Sequence, residues 1–343
     1  MALDRIPEYP FERPCVVVSK CLGFENVRYD GGIVHCQIIN DIEHLVDFIT
    51  VCPEVEIGLG VPRETIRIVR TGGEKKLFQP KTKRDVTELM NSFTDDFLKN
   101  LNDVDGFIFK SGSPTIGIRN IKIYSAAENS PVIDHGSGFF AEKILNKYAH
   151  YPMEEDDRLR NKIIRHHFLT MLFSFADFRK VKMKKSAEKL CQFHKQNCYL
   201  FRLYERDIAT KMEKIIENIT DNSFDTESKN YEKLFHRIFL NHPGTNEYTN
   251  LANVIFLSVD DYLNKAEKKY LNKVIQKYAD NRLGNETLLE ILKLYVIRFS
   301  HSKSKYSRLF YPYPEELKTE SEADRGRDFW SNFPIPNSEE QSK

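Results

Sequence analysis

The sequence contains few cysteines and no long apolar run, and each absence excludes a class of protein. Six cysteines in 343 residues are too few for a secreted scaffold held together by disulfides. No stretch approaches the roughly 20 apolar residues that cross a bilayer, and the start of the chain carries no apolar signal core. We therefore expect a cytoplasmic protein with no membrane partner.

The chain also lacks an excess of charge of one sign. Its net charge is +1 although 29% of its residues are charged, which argues against a uniformly basic protein but leaves room for a local basic patch. A chain of 343 residues is long for a single hydrophobic core, so the length favours two domains.

Three short runs rich in β-branched and aromatic residues lie in the first third of the chain. They occupy residues 16–19, 48–51 and 106–109. Helical patterns separate them, which predicts parallel strands of an α/β domain. Ligands of such sheets bind beyond the carboxyl ends of the strands, so Cys21, Cys52 and the polar loop at 110–114 would meet in one crevice. The alternative is that both cysteines are small buried hydrophobic residues.

The pattern changes from strands to helices along the chain. Runs at 65–69 and 121–124 are two further predicted strands, and an apolar stripe between them predicts a helix up to residue 101, with Asp85 and Glu88 as its capping box. After about residue 138 only long charged helical patterns follow.

These patterns predict the fold class and the division of the chain. The fold class is a three-layer α/β N-terminal domain with a mostly parallel sheet, followed by an all-α domain. The predicted segments are the α/β domain at 10–137, a helical connector at 138–185, the helical domain at 186–317 and a poorly ordered tail at 318–343.

Positive charge is concentrated in one segment, which we call the basic belt (residues 158–214). It holds 15 Lys and Arg against 5 Asp and Glu, with aromatic residues interleaved. Such clusters bind the phosphates of nucleic acids through a salt-dependent attraction. The alternative is a solvated helix face with core aromatic residues behind it.

Four blocks of the N-terminal part carry a resemblance to a known family. They read VVVSKCLG at 16–23, VRYDGG at 27–32, VCPEVEIGLGVPRE at 51–64 and DGFIFKSGSP at 105–114. Their order and spacing resemble the thiouracil desulfidase family. Later blocks at 136–141, 154–159, 193–195 and 311–317 resemble the connector and helical domain of its two-domain members. In function, this two-domain arrangement resembles that of the tRNA 4-thiouridine desulfidases.

The resemblance implies an iron–sulfur-dependent enzyme that removes sulfur from a thiolated uracil, most directly 4-thiouridine in tRNA, with free thiouracil left open. It implies a 4Fe-4S cluster held by three cysteines, of which Cys21 and Cys52 match two; thiolates are the usual ligands of such clusters. Glu54 matches a carboxylate that carries protons, and Ser113 matches a serine that hydrogen-bonds the substrate. The helical domain is implied to hold tRNA, in agreement with the basic belt.

One position departs from the family pattern. The third ligand would fall at position 116, where this chain has Ile116, which cannot bind iron. Cys36 is the better substitute, whereas Cys15 lies at the far end of the first predicted strand. Cys191 and Cys198 lie two helical turns apart, a spacing more typical of packing.

The departure leaves two other functions open. The first is a cluster-free, catalytically silent member that keeps only RNA binding. The second is a zinc-dependent or cluster-free hydrolase with Cys52 as nucleophile beside Glu54. For Arg63 and Glu64 we expect a buried ion pair that braces the crevice, and we expect the histidines at 166, 167 and 194 to face solvent or RNA.

Overall fold

The structure is a computed structural model in which residues 11–299 and 307–318 are described. The predicted fold class is confirmed, because an α/β region with a parallel sheet is followed by a helical region. The start of the chain and the predicted tail, apart from Lys318, lie outside the described residues.

Within the described residues, nine strands form two sheets. In chain order they are β1 (Cys15–Ser19), β2 (Asp47–Val51), β3 (Arg67–Thr71), β4 (Glu74–Gln79), β5 (Arg84–Asp85), β6 (Gly106–Phe109), β7 (Ile121–Tyr124), β8 (Val132–Gly136) and β9 (Met153–Glu155). The first sheet has the order β2-β1-β6-β9, and all of its pairings are parallel. The three runs at 16–19, 48–51 and 106–109 are therefore neighbouring parallel strands, as predicted.

Alternation along the central strands gives the first sheet two buried faces. Val17 of β1 and Phe107 of β6 belong to one apolar cluster, whereas Val16 and Ile108, one residue away on the same strands, belong to the other. Successive side chains of a strand point to opposite faces, so both faces must be covered. This burial explains why the strands read as continuous apolar runs.

The second sheet is mixed, with the order β5-β4-β3-β7-β8. The predicted strands at 65–69 and 121–124 fall here, where β3 and β7 pair in parallel. Gly72 and Gly73 form the tight turn from β3 to β4 with positive φ angles of 61° and 89°, a conformation that glycine adopts without strain. A short strand pattern does not reveal which sheet it joins, so the sequence did not separate the two sheets.

Within the described residues, eleven α-helices complete the fold. They are α1 (Gln37–Ile42), α2 (Pro53–Glu56), α3 (Thr87–Asn100), α4 (Phe139–Lys147), α5 (Lys162–Lys184), α6 (Ala187–Tyr204), α7 (Arg206–Asn218), α8 (Phe224–Ile238), α9 (Thr245–Val259), α10 (Lys265–Ala279) and α11 (Asn285–Phe299). The predicted apolar stripe is α3, but its capping box is wrong. Val86 is the N-cap, and Asp85 instead accepts from the amide of Thr87 at 3.0 Å.

Helix α5 joins the two cores. Phe168 and Leu172 pack under the first sheet, and Phe175 and Phe178 belong to the core of the helical region. One 23-residue helix therefore runs from the sheet into the helical region. Across the described ranges, no helix combines the length and apolarity that crossing a membrane requires.

Candidate active site

The four parallel strands end on the same edge of the first sheet, and the chain turns polar immediately after each end. Cys21 lies two residues after β1, Cys52 and Glu54 follow β2, and Ser113 follows β6. All four line one cavity of about 210 Å³. The crevice predicted from the strand ends is therefore present, and it brings together the two thiols, the carboxylate and the hydroxyl.

The two thiols of this cavity are held in their neutral form. Cys52 is the N-cap of α2, and its Sγ lies 3.8 Å from the carbonyl oxygen of Val27. Burial raises its pKa. Burial, followed by the charge of nearby Cys52, raises the pKa of Cys21 to about 11. Arg63 Nη2 lies 3.9 Å from the Sγ of Cys52 and acts to lower the pKa of that thiol, but burial has the larger effect, so at neutral pH both groups are thiols.

Glu54 is fixed by an arginine at the rear of the cavity. Arg63 Nε donates to Glu54 Oε2 at 2.8 Å, and the two side chains are only 4% and 12% exposed. Arg63 Nη1 also donates to the carbonyl of Val27 at 2.9 Å. The predicted buried Arg–Glu pair is present, but Glu64 was the wrong partner for Arg63. Glu64 is half-exposed and pairs with Lys81 at 3.0 Å.

The loop after β6 supplies two hydroxyl groups to the same carboxylate. Thr115 Oγ1 donates to Glu54 Oε1 at 2.9 Å, while Ser113 Oγ lies 3.4 Å from that oxygen and 3.0 Å from Thr115 Oγ1. Thr115 was not predicted as a site residue, because it lies 61 residues from Glu54 along the chain and their contact depends on the fold.

This loop is held by backbone contacts with the start of α4. The amides of Phe140 and Ala141 donate to the carbonyl of Thr115 at 2.9 and 3.1 Å. A Cβ added to Gly138 would lie 2.4 Å from that same carbonyl oxygen, so only glycine permits the approach. These contacts fix the shape of the loop.

The residues present do not provide the three thiolates of the implied 4Fe-4S cluster. Ile116 lines the cavity and is packed into the apolar core at 4% exposure. The proposed substitute, Cys36, lines a separate cavity, and Cys15 begins β1 at the opposite end of the strand. Across residues 11–299 and 307–318, no three His, Cys, Asp or Glu side chains are grouped so as to hold a metal ion. We therefore derive no chemical step through a cluster.

The basic belt is partly neutralised by acids from other elements. At least seven of its fifteen cationic side chains form ion pairs with carboxylates; they are Arg158, Arg165, Arg179, Lys180, Lys182, Lys185 and Arg202. Lys195, Lys211 and Lys214 are exposed. The paired side chains of the basic belt thus connect neighbouring elements, and its exposed lysines place positive charge on the surface.

The three histidines expected to face solvent or RNA, at positions 166, 167 and 194, are packed against tyrosines. His194 is 4% exposed, and its Nδ1 lies 3.0 Å from the hydroxyl of Tyr231. His166 and His167 contact tyrosine hydroxyls in the same way, at 2.8 and 3.0 Å. Burial lowers the pKa of each of the three to about 4. The expectation of a solvent-facing or RNA-facing residue is wrong for His194.

Two protein families match this chain, one in its N-terminal part and one in its C-terminal part. Residues 16–156 match the family described as 2-thiouracil desulfurase, and all residues that line the cavity lie within this segment. Residues 198–314 match a family described as a protein of unknown function, DUF1722. The chain fits the two-domain thiouracil desulfidase family, with the desulfurase domain first and the helical domain second.

Comparisons with individual proteins found similarity over a smaller part of the chain. A solved structure, the 4Fe-4S-dependent thiouracil desulfidase TudS, is 24% identical over 43% of this chain and 94% of that chain, with a TM-score of 0.34. A comparison with curated proteins found no match.

Proposed function

We propose that the protein removes sulfur from a thiolated uracil that is bound in the cavity at the strand ends, and that its substrate is 4-thiouridine carried by tRNA. The observation that carries this proposal is the convergence of Cys21, Cys52, Glu54 and Ser113 on one cavity. These groups come from three different strand ends, and the sheet edge where they meet is the usual ligand site of such folds.

The cavity suits a single small ring. Its volume of about 210 Å³ lies below the roughly 300–1,000 Å³ of pockets for drug-sized ligands. Hydroxyl groups of Ser113 and Thr115 offer donors and acceptors to the ring edge. The thiols of Cys21 and Cys52 are soft, polarisable neighbours for a thiocarbonyl sulfur.

The net reaction is hydrolysis and needs no oxidant or reductant. Water adds to the thiocarbonyl carbon, its protons pass to sulfur, and hydrogen sulfide leaves as the carbonyl forms. Glu54 is the group able to accept and return a proton in the cavity. Its contact with Ser113 is long, at 3.4 Å, so a water or a ring N–H can take that position while Arg63 and Thr115 keep the carboxylate in place.

The case for tRNA as the carrier is electrostatic. The exposed cations of the basic belt, including Lys195, Lys211 and Lys214, are suited to phosphate contacts, which supply affinity without sequence specificity. The belt begins at Arg158, just after the end of β9. This start of the belt lies at the sheet edge where the cavity opens, whereas α5 carries later cations of the belt to the opposite edge, where Arg179 pairs with Asp105.

The test is sulfide release from tRNA that contains 4-thiouridine. The purified protein is incubated with this tRNA, released sulfide is measured, and the nucleosides are separated to quantify uridine. We expect equal amounts of sulfide and uridine, abolished by Glu54→Gln. Glu56→Gln is the matched control, because Glu56 is an exposed glutamate of the same helix α2 and does not line the cavity. Absence of sulfide with wild-type protein contradicts the proposal.

Ile116 favours a second candidate, a member that binds the thiolated base without removing its sulfur. An aliphatic side chain stands where the family places its third ligand, and the thiols keep their protons. In that case the tRNA binds at the same cavity and is recovered with its sulfur intact. Protection of the 4-thiouridine from alkylation by the bound protein, without sulfide release, would identify this function.

A further inference from the structure

A cavity of about 410 Å³, which we call the helical cavity, lies in the helical region. The first two turns of α5, the first two turns of α11 and the stretch 307–318 supply most of its lining. Its volume falls within the roughly 300–1,000 Å³ of pockets that bury small ligands. None of the residues that line the cavity at the strand ends lines this one.

The histidine and the tyrosines of the helical cavity are uncharged. His166 Nδ1 lies 2.8 Å from the hydroxyl of Tyr313, and both side chains line the cavity. Burial lowers the pKa of His166 to about 4 and raises the pKa of Tyr248, a third lining residue, to about 12. At neutral pH these groups therefore bring no charge into the cavity, and the first two satisfy each other.

The walls of the helical cavity are largely apolar. Ile163, Leu289, Leu309, Phe310 and Pro312 line it, and Ile163 is 62% exposed. A single exposed aliphatic side chain is ordinary, but this one borders a cavity whose other walls are apolar and whose interior is neutral. Such a cavity fits an apolar or aromatic group, which would also cover Ile163.

The described part of the chain ends at this cavity. Lys318, its last residue, is one of the lining residues, and the tail (residues 319–343) follows it. All the large apolar residues of the tail lie within seven positions; they are Phe329, Trp330, Phe333 and Ile335. A segment of this length is too short to form a core of its own, so burial of these side chains requires another surface.

The tail is long enough to reach back to the cavity. Phe329 follows Lys318 by eleven residues, and an extended chain of that length spans up to roughly 36 Å. Closing a loop of this size costs little entropy, and a short tether holds its end at an effective concentration on the order of millimolar. Weak contacts therefore suffice for docking of the tail on its own chain.

Charge at the mouth of the cavity agrees with this occupant. Glu286 and Glu290 are exposed on the first two turns of α11 and line the cavity. Arg325 and Arg327 stand directly before the aromatic residues of the tail. A tail whose rings enter the cavity therefore carries its two arginines past two glutamates, which favours this orientation.

We infer that the aromatic segment 329–335 of the chain's own tail docks in the helical cavity. Its rings cover Ile163 and the apolar walls, while Arg325 and Arg327 face the glutamates of α11. The tail is then an internal ligand of the helical region. This inference is independent of the proposed function, because neither the thiolated base nor the cavity at the strand ends enters it.

The test uses the fluorescence of Trp330 in the full chain. Trp330 is the only tryptophan of the chain, so its emission reports on the tail alone. The emission maximum and its quenching by acrylamide are measured for the native and the urea-unfolded protein. The variants are Ile163→Gln and, as a matched control, Leu294→Gln, because Leu294 is 63% exposed on α11 and does not line the cavity. Circular dichroism checks that each variant folds.

We expect native wild-type protein to emit at a shorter wavelength than the unfolded chain and to be quenched severalfold less, at every protein concentration. Ile163→Gln should weaken docking by roughly tenfold, the value of one buried aliphatic side chain, and should move both readings toward the unfolded values. Adding Phe333→Ala should move them further without altering the described part of the chain. Leu294→Gln should behave as wild type.

Three results would overturn the inference. If Trp330 is as exposed in the native wild type as in urea, the tail does not dock. If it is shielded but Ile163→Gln with Phe333→Ala leaves it shielded, or if Leu294→Gln exposes it, the tail docks on another surface. If the shielding is lost on dilution, the tail of a second copy occupies the cavity and not the chain's own.

Discussion

Replacing Ile116 by cysteine would give the cavity a third thiol beside Cys21 and Cys52. The change replaces three carbons by one sulfur in a side chain that is 4% exposed. Truncations of this size in a core cost about 1–3 kcal/mol, against the roughly 5–15 kcal/mol that stabilises an ordinary domain. We therefore expect the Ile116→Cys protein to fold, with a modest loss of stability in urea.

The assay is iron and acid-labile sulfide per chain after anaerobic reconstitution. Three thiolates can hold a cubane cluster and two hold it poorly, so we expect about four of each in the Ile116→Cys protein and far less in the wild type. Ile116→Ser is the matched control, because it shortens the side chain in the same way but offers no thiolate. Cys36→Ala should change neither protein, because Cys36 lines a separate cavity.

Two outcomes would refute the reasoning. If the wild-type chain already holds about four iron and four sulfide, then a ligand outside the cavity completes the site and the misfit at position 116 has no consequence. If the Ile116→Cys protein folds but binds no more iron than the Ile116→Ser protein, the three sulfur atoms do not converge. The cavity is then not a cluster site that lacks one ligand.

Three further predictions concern stability and binding. Arg63→Ala leaves Glu54 without its buried partner and should lower the free energy of unfolding in urea by about 3 kcal/mol or more; a change near zero would mean that solvent replaces the guanidinium. Burial lowers the pKa of His194 from 6.5 to about 4. Between these pH values His194 is protonated only in the unfolded chain, so the free energy of unfolding falls as the pH is lowered. The variant His194→Gln should reduce this pH dependence by up to about 1.4 kcal/mol per pH unit, measured by urea unfolding. The double change Lys211→Ala and Lys214→Ala should weaken tRNA binding and reduce the slope of log K against log salt by about 2, and an unchanged slope would place the RNA elsewhere.

The position of the site could be predicted from the sequence because it depends on local pattern. Short runs rich in β-branched and aromatic residues mark β1, β2 and β6, and the residues that follow parallel strands emerge at the same edge of the sheet. Cys21, Cys52 and Ser113 therefore had to approach one another once the strands were recognised. No knowledge of side-chain packing was needed for this step.

The partners within the site could not be predicted in the same way. Arg63 is next to Glu64 in the chain, yet it pairs with Glu54, since the turn between them folds the guanidinium back under α2. His194 lies on a charged helix, but its own position faces the core. The partner that a side chain meets depends on how helices and strands pack together, whereas the sequence pattern shows only which face of each element is apolar.

The loop at 113–117 is held in place by its own hydrogen bonds and packing. The amides of α4 hold Thr115, Ser113 Oγ accepts from the amide of Ile116 at 3.3 Å, and Ile116 itself is packed in the core. A loop fixed by its own contacts keeps the shape of the cavity whether or not a cluster is bound. We therefore expect the proposed base binding to be separable from sulfur removal in this chain. It follows that loss of the third thiolate need not abolish ligand binding, and that binding of the thiolated nucleotide can be measured on the protein as it stands.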